Sequence, residues 1–345
     1  MDELVVAGET HVVIGHGVAV DPAVVLAGID TPLIGVLAQP GPASTLARGL
    51  ARAAERGGIA AVVRILPDAE EAKRLSVVED AAGWLASEGA TRQAVVVGVG
   101  GGALTDVAGF LAAVFLRGVR AVYVPTTMLG AVDASIGGKT AVNVEGKNLV
   151  GAFRHPERVV VDLEVLERLP VDRLRDGLSE ALKAGLIGDP ALFELLEAGG
   201  IDADLGEVVR RSLSVKADVV GRDFLENGER AVLNYGHTVG HALEVAAGIG
   251  HGPAVAIGMV AAGRASALIA GFAAEDRQRS AIEGLGLPVK APAVDRAEVL
   301  RLLEMDKKRD AMGVRMVVLE SIGRPLVSHV DSATVDAALE SVGVT

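Results

Sequence analysis

Over its first 160 or so residues the chain alternates short β-branched runs with stretches of helical periodicity. Few folds accept that pattern, because strands separated by helices build a largely parallel sheet covered on its faces. Residues 11–14, 33–37, 61–66, 94–97 and 119–124 read as strands, and residues 43–56, 70–87 and 104–116 as helices. The texture changes after Val159-Val160-Val161-Asp162. Residues 172–186, 190–197, 205–220, 242–247, 254–269, 276–283 and 296–307 then read as helices, with one β-like run at 316–319. A chain of 345 residues exceeds a single typical core. The expectation is an α/β N-terminal, Rossmann-like domain over residues 1–170 and a mainly α-helical C-terminal domain over residues 171–345.

Charge and composition narrow the function. The net charge of -12 argues against general nucleic-acid binding, while a local cluster of cations could still hold a small anion. The chain has no cysteine, so any metal must be held by histidine and carboxylate, the ligand set of open, catalytic zinc sites. Met1-Asp2-Glu3 lacks a basic segment followed by an apolar core, and no apolar run of about eighteen residues is free of charge and glycine. Neither a secretory leader nor a membrane span is expected, and a cytoplasmic location is.

Several stretches carry chemistry. Gly98-Val99-Gly100-Gly101-Gly102-Ala103 follows a strand and opens a helix, as a pyrophosphate-binding turn does. It is not the usual first turn, and no acid follows about twenty residues on, so it is no ordinary Rossmann fingerprint; a phosphate-binding turn is still expected ahead of the alternative, tight strand–helix packing. Asp106 sits in the first turn beyond. Pro125-Thr126-Thr127 closes the next strand, and Asp133-Ala134-Ser135-Ile136-Gly137-Gly138-Lys139-Thr140 and Gly146-Lys147-Asn148 each join flexible backbone to a lysine. Glu180 and Lys183 share a helix face within an apolar segment, where charges need a partner or a ligand.

In Asn234-Tyr235-Gly236-His237-Thr238-Val239-Gly240-His241 two imidazoles sit four apart at the head of a helical run, and His251 follows. Such a pair can serve one metal, or divide between a metal and a proton. Glu180 with His237 and His251 would make a two-histidine, one-carboxylate site with open positions. Lys216, Arg230 and Lys307-Lys308 add cations, each of which alone would be a solvated helix charge.

Taken in order, residues 67–73, 100–109, 116–118, 125–140, 146–153, 180–185, 216–220, 234–244, 251–252 and 306–308 resemble the 3-dehydroquinate synthase family of the sugar phosphate cyclase superfamily. The resemblance implies a dehydroquinate synthase-like fold and a phosphate-eliminating carbon–oxygen lyase of the shikimate pathway, on the way to aromatic amino acids. Such an enzyme converts 3-deoxy-D-arabino-heptulosonate 7-phosphate to 3-dehydroquinate and phosphate. It does so by transient NAD-dependent oxidation at C5, phosphate elimination, re-reduction and intramolecular aldol closure. It implies NAD and zinc, with cobalt as an alternative, and a homodimer acting on a small sugar phosphate without nucleic acid or membrane. By position, Glu180, His237 and His251 would bind metal, and His241 would handle a proton or face the phosphate. Arg117, Asp133, Lys139, Asn148, Lys183, Lys216, Arg230 and Asn234 would contact substrate, with one of Lys307-Lys308 reaching in and Glu226 as a further carboxylate. Glu70, Lys73, Gly100, Gly101, Gly102, Asp106, Thr126, Thr127 and Lys147 would contact NAD.

The chain also departs from the family pattern. Ala69 stands for a usual Gly, Arg168 for Thr, Phe224 for the second acid of Asp-Glu-x-Glu, and Pro253 for the Glu of His-Gly-Glu; the 143–147 loop looks one residue short. Rival readings are another sugar phosphate cyclase (amino-dehydroquinate, 2-deoxy-scyllo-inosose or 2-epi-5-epi-valiolone synthase), a metal-dependent polyol dehydrogenase, or a non-catalytic homologue. The intact 133–140 run and the Glu180/Lys183 pair fit the shikimate enzyme.

Overall fold

A computed structural model describes residues 1–307 and 314–345 of the chain. They form two compact units, Met1–Pro170 with Val220–Leu225, and Val171–Val219 with Glu226–Thr345. A single boundary at residue 170 does not anticipate the return of Val220–Leu225 to the first unit.

The first unit holds β1 (Asp2–Val6), β2 (Thr10–Gly15), α1 (Pro22–Val25), β3 (Leu33–Ala38), α2 (Pro42–Arg56), β4 (Ala60–Ile65), α3 (Leu75–Ser87), β5 (Val95–Gly100), α4 (Gly102–Val114), β6 (Arg120–Pro125), β7 (Lys139–Val142), β8 (Val150–Phe153), β9 (Arg158–Asp162) and α5 (Leu163–Glu167). Seven strands form one sheet in the order β1-β2-β9-β6-β5-β3-β4, parallel except for the β1–β2 pair. β3, β5 and β9 are buried along their whole length, as strands covered on both faces must be, which is why β3 and β5 read as apolar runs broken only by glycine and β9 as three valines between Arg158 and Asp162. Val36, Val97, Val122 and Val160 meet Ala47, Leu50 and Ala54 of α2 in the core.

The single helix expected over residues 70–87 is instead a short 3-10 turn, Ala69–Ala72, and then α3. The break at Lys73 and Arg74 turns Lys73 into the interior, where it is 3% exposed. The two lysine-bearing loops are one antiparallel hairpin, β7 with β8, in which Lys139 lies opposite Phe153.

The second unit carries α6 (Val171–Gly188), α7 (Pro190–Gly199), α8 (Leu205–Arg222, its last turn counted with the first unit), α9 (His237–Ala247), α10 (His251–Ala270), α11 (Glu275–Gly284), α12 (Arg296–Lys307), β10 (Val314–Ser321), β11 (Arg324–Val330) and α13 (Ser332–Ser341). α10 is long and apolar enough to cross a membrane, and its buried residues, from Gly252 to Ser266, make it the core helix here, packed on α6, α9, α13 and β10.

Backbone strain has one simple consequence. Ala69 holds a left-handed φ of 45°, which for a residue with a Cβ costs roughly 1–2 kcal/mol. Ala69→Gly is expected to raise the unfolding free energy by about 1 kcal/mol after glycine's entropy cost, read as a higher urea midpoint at unchanged m.

Candidate active site

Close helix packing brings the histidines and Glu180 together. Gly236, at φ 79°, turns the chain into α9 so that His237 is its first residue. A Cβ on Gly258 of α10 would fall on the Gly236 carbonyl oxygen and lie 2.7 Å from the Gly240 nitrogen; one on Gly240 would lie 2.9 Å from the Ala254 oxygen. The two backbones therefore touch. At the head of α10 a Cβ on Gly252 would lie 2.5 Å from the Asp176 Cα of α6. α10 also begins at its histidine, with Pro253 in the first turn, where a missing N–H costs nothing.

His237 Nε2 and His251 Nε2 lie 3.4 and 3.3 Å from the same oxygen, Glu180 Oε1. Each imidazole is held from behind: His237 Nδ1 is 3.2 Å from the Tyr235 carbonyl, and His251 Nδ1 is 3.2 Å from Glu244 Oε2. A donor hydrogen on each Nδ1 leaves both Nε2 lone pairs aimed inward, the orientation that metal-binding histidines have. Tyr235 is itself fixed, its hydroxyl donating to Gln278 Oε1 at 2.7 Å while Gln278 donates to the Met259 carbonyl at 2.6 Å. This donor set fits a divalent ion, since the ligand atoms of Glu180, His237 and His251 lie within 4.8 Å of one another. His241, Glu244 and His251 meet the same spacing, but His241 is exposed and Glu244 faces the far nitrogen of His251.

The electrostatics prepare two of the three residues in the first group and leave the third protonated. Glu180 is 2% exposed; burial opposes its charge, but the contacting Lys183 ammonium and the two imidazoles outweigh that and hold its carboxyl well below the usual range. Burial, aided by Lys183, pushes His237 down to about 3, so it stays neutral and ligand-ready. Burial works against a charged His251 too, yet its bonds to Glu180 and Glu244 raise it to about 10, so without a metal this imidazole holds a proton on each nitrogen and a bound ion must displace the one facing Glu180.

The remaining expected residues fall as follows. Lys183, Lys216 and Arg230 are buried cations of the second unit, while His241, Glu226 and Asn234 are exposed. The rings of His237 and His241 are 5.0 Å apart, one turn along α9. Arg168 is exposed and pairs with Glu164 at 3.1 Å. Lys307 ends α12, and Lys308 lies outside the described residues.

In the first unit β5 runs into the glycine turn and α4 begins at Gly102. The Gly101 N–H donates to Gln39 Oε1 at 2.7 Å, Thr126 N–H to the Gly100 carbonyl at 2.9 Å, and Gly130 N–H to Thr127 Oγ1 at 3.0 Å. Beside it Lys73 Nζ donates to Asp106 Oδ2 and Asn148 Oδ1, both at 2.5 Å. Asn143 closes the chain, donating to Glu70 Oε2 at 2.8 Å and accepting from Asn148 N–H at 2.9 Å. Asn148, expected at the substrate, is thus bonded to the Lys73–Asp106 pair expected at NAD. Arg117, Lys139 and Lys147 are exposed and Asp133 half-buried. Arg117, Asn148 and Glu226 all have left-handed φ, at 66°, 57° and 61°, strain of the kind that collects at functional sites.

Gln39, Asn143 and Glu244 were missed as candidates. Glu244 carries a readable signal, standing three residues past His241 on the same helix face; Gln39 and Asn143 carry none without the fold.

A parallel α/β unit with a glycine turn at a helix start, and a helical unit with a buried carboxylate between two imidazoles, define a metal- and nucleotide-binding class of enzyme fold. Two solved structures share it over nearly the whole chain. A 2-deoxy-scyllo-inosose synthase complexed with carbaglucose-6-phosphate, NAD⁺ and Co²⁺ matches at TM-score 0.87 and 26% identity, covering 98% of this chain and 99% of that one. A 2-epi-5-epi-valiolone synthase from Streptomyces hygroscopicus subsp. jinggangensis 5008, with NAD⁺ and Zn²⁺ bound, matches at 0.87 and 26%, covering 99% and 98%. The family models for the 3-dehydroquinate synthase N-terminal and C-terminal regions match residues 63–176 and 177–309. A 3-dehydroquinate synthase of Pseudarthrobacter chlorophenolicus is 43% identical over 300 residues, 84% of this chain and 83% of its own. The chain belongs to the 3-dehydroquinate synthase family.

Proposed function

We propose that the protein is the 3-dehydroquinate synthase of a shikimate pathway, acting in the cytoplasm as a homodimer on 3-deoxy-D-arabino-heptulosonate 7-phosphate. The observation that carries the reading is the buried Glu180 carboxylate with two Nε2 atoms aimed at one of its oxygens, in a chain 43% identical to a protein of that activity.

Glu180, His237 and His251 would hold zinc or cobalt, and Gly100, Gly101 and Gly102 with Glu70, Lys73, Asp106, Thr126, Thr127 and Lys147 would hold NAD. The bound ion would polarise the substrate's oxygens and NAD would take and return the C5 hydride. The chain's own groups bind and orient. Lys183, Lys216 and Arg230, removed from water, offer a phosphate or carboxylate stronger attraction than exposed cations would. Lys183 has a second task, because its contact keeps Glu180 ionised. Arg117, Asp133, Lys139, Asn148, Asn234 and Glu226 complete the substrate contacts. His241, one turn from His237 along α9, would move a proton at the departing phosphate or its neighbouring carbon.

Purified protein supplied with the heptulosonate phosphate, NAD⁺ and Zn²⁺ should release phosphate and form dehydroquinate with no net NADH. Net NADH from a polyol would replace this reading with the dehydrogenase one, and a different cyclic product with another cyclase. His241→Asn is expected to lower kcat by about 100-fold while the protein still binds one equivalent of metal by elemental analysis; loss of the metal would place His241 among the ligands.

A further inference from the structure

The structure gives the ring of Phe224 a task. We propose that Phe224 is a positioning residue for Lys139, clamping the open end of the β7–β8 hairpin. The inference rests on the reading above that Lys139 contacts the sugar phosphate.

Phe224 lies in Val220–Leu225, the segment that joins the first unit. Its ring stacks on the His155 imidazole, with centroids 4.0 Å apart and planes 16° apart, and meets Phe153 edge-on at 5.5 Å and 63°. On its other side it lies against backbone. Gly138 has a φ of 68°, and a Cβ there would come within 2.6 and 2.7 Å of the Phe224 Cε2 and Cζ atoms. Gly138 precedes Lys139, and Phe153 is the residue paired with Lys139 across the hairpin. One ring thus touches both chains at the position of the lysine. The Arg154 N–H also donates to the Gly138 carbonyl at 2.8 Å, tying the same two chain ends.

Lys139 is exposed and stands on a short, four-residue strand. Strand ends this short gain little from their own ladder and depend on packing to hold them in place. Packing a rigid aromatic on the glycine before Lys139 and on its cross-strand partner restricts the backbone from which the ammonium reaches. A side chain without a ring at this position could not stack on His155 or meet Phe153 edge-on. The restriction acts on a contact made in the bound ground state, so its loss should appear in KM more than in kcat.

The test compares variants of the metal- and NAD-loaded protein. Phe224→Ala should raise KM for the heptulosonate phosphate about 10-fold with kcat within about 3-fold, and Phe224→Tyr, which keeps the stack, should stay near the parent. Adding Phe224→Ala to Lys139→Ala should change KM by less than about 2-fold, because both act through one contact. Amide exchange without substrate should quicken over residues 139–142 and 150–153 in Phe224→Ala and stay unchanged in α9 and α10. An unchanged KM, full additivity with Lys139→Ala, or unaltered hairpin exchange would each overturn the proposal. If the parent protein does not turn the sugar phosphate over, the functional reading fails, and hairpin exchange alone then decides the clamp.

Discussion

Glu180→Gln is expected to weaken zinc binding by about 100-fold or more, exceeding the loss from an outer-sphere partner, and to abolish measurable turnover. The same change should destabilise the chelator-treated protein by about 3 kcal/mol, because it leaves Lys183 buried without its counter-charge. The two effects have separate causes and separate readouts: competition with a chromophoric chelator for the metal, and urea unfolding for the fold. His251→Ala should match it in lost metal and turnover but cost less stability, because the Glu180–Lys183 pair survives. Equal stability losses would mean that the ion pair is not what holds this part of α6.

Gly258→Ala should be as damaging from a distance. In a helix interior alanine is worth about 1 kcal/mol more than glycine, so local propensity predicts a gain. Contact with the Gly236 carbonyl predicts the reverse: α10 must move off α9, and the expected loss is about 3 kcal/mol. Because His237 follows Gly236 and His251 starts α10, the shift should also spread the two Nε2 atoms and weaken metal binding. Gly83→Ala in α3, where a Cβ meets nothing within 4 Å, serves as the control and should stabilise by up to about 1 kcal/mol. If both substitutions stabilise, the close approach of α9 and α10 is not what positions the histidines.

What could be read from the sequence follows from how local each cause is. The parallel core was legible because β3 and β5 are buried on both faces and so are apolar runs broken only by glycine; β9, three valines between Arg158 and Asp162, is not among the expected strands. The spacing of His237 and His241 placed two rings on one helix face, and they stand there, 5.0 Å apart. Spacing could not say that His251, from the next helix, would point its Nε2 at the same oxygen as His237. That depends on Gly236, Gly240 and Gly258, whose meaning appears only when two backbones touch. The Lys73 break was hidden in the same way: residues 70–87 have helical composition, and a tertiary bond to Asp106 interrupts them. The hairpin looks like two loops in the sequence because β7 and β8 are only four residues each, too short to show a strand period.

The central claim is that this chain oxidises its substrate only transiently, and substrate deuterated at C5 tests it most directly. In a single turnover with the zinc-loaded protein and NAD⁺, the account predicts phosphate release, dehydroquinate that keeps the deuterium at the corresponding carbon, and no accumulated NADH. Deuterium found in released NADH, or lost to solvent, would contradict it.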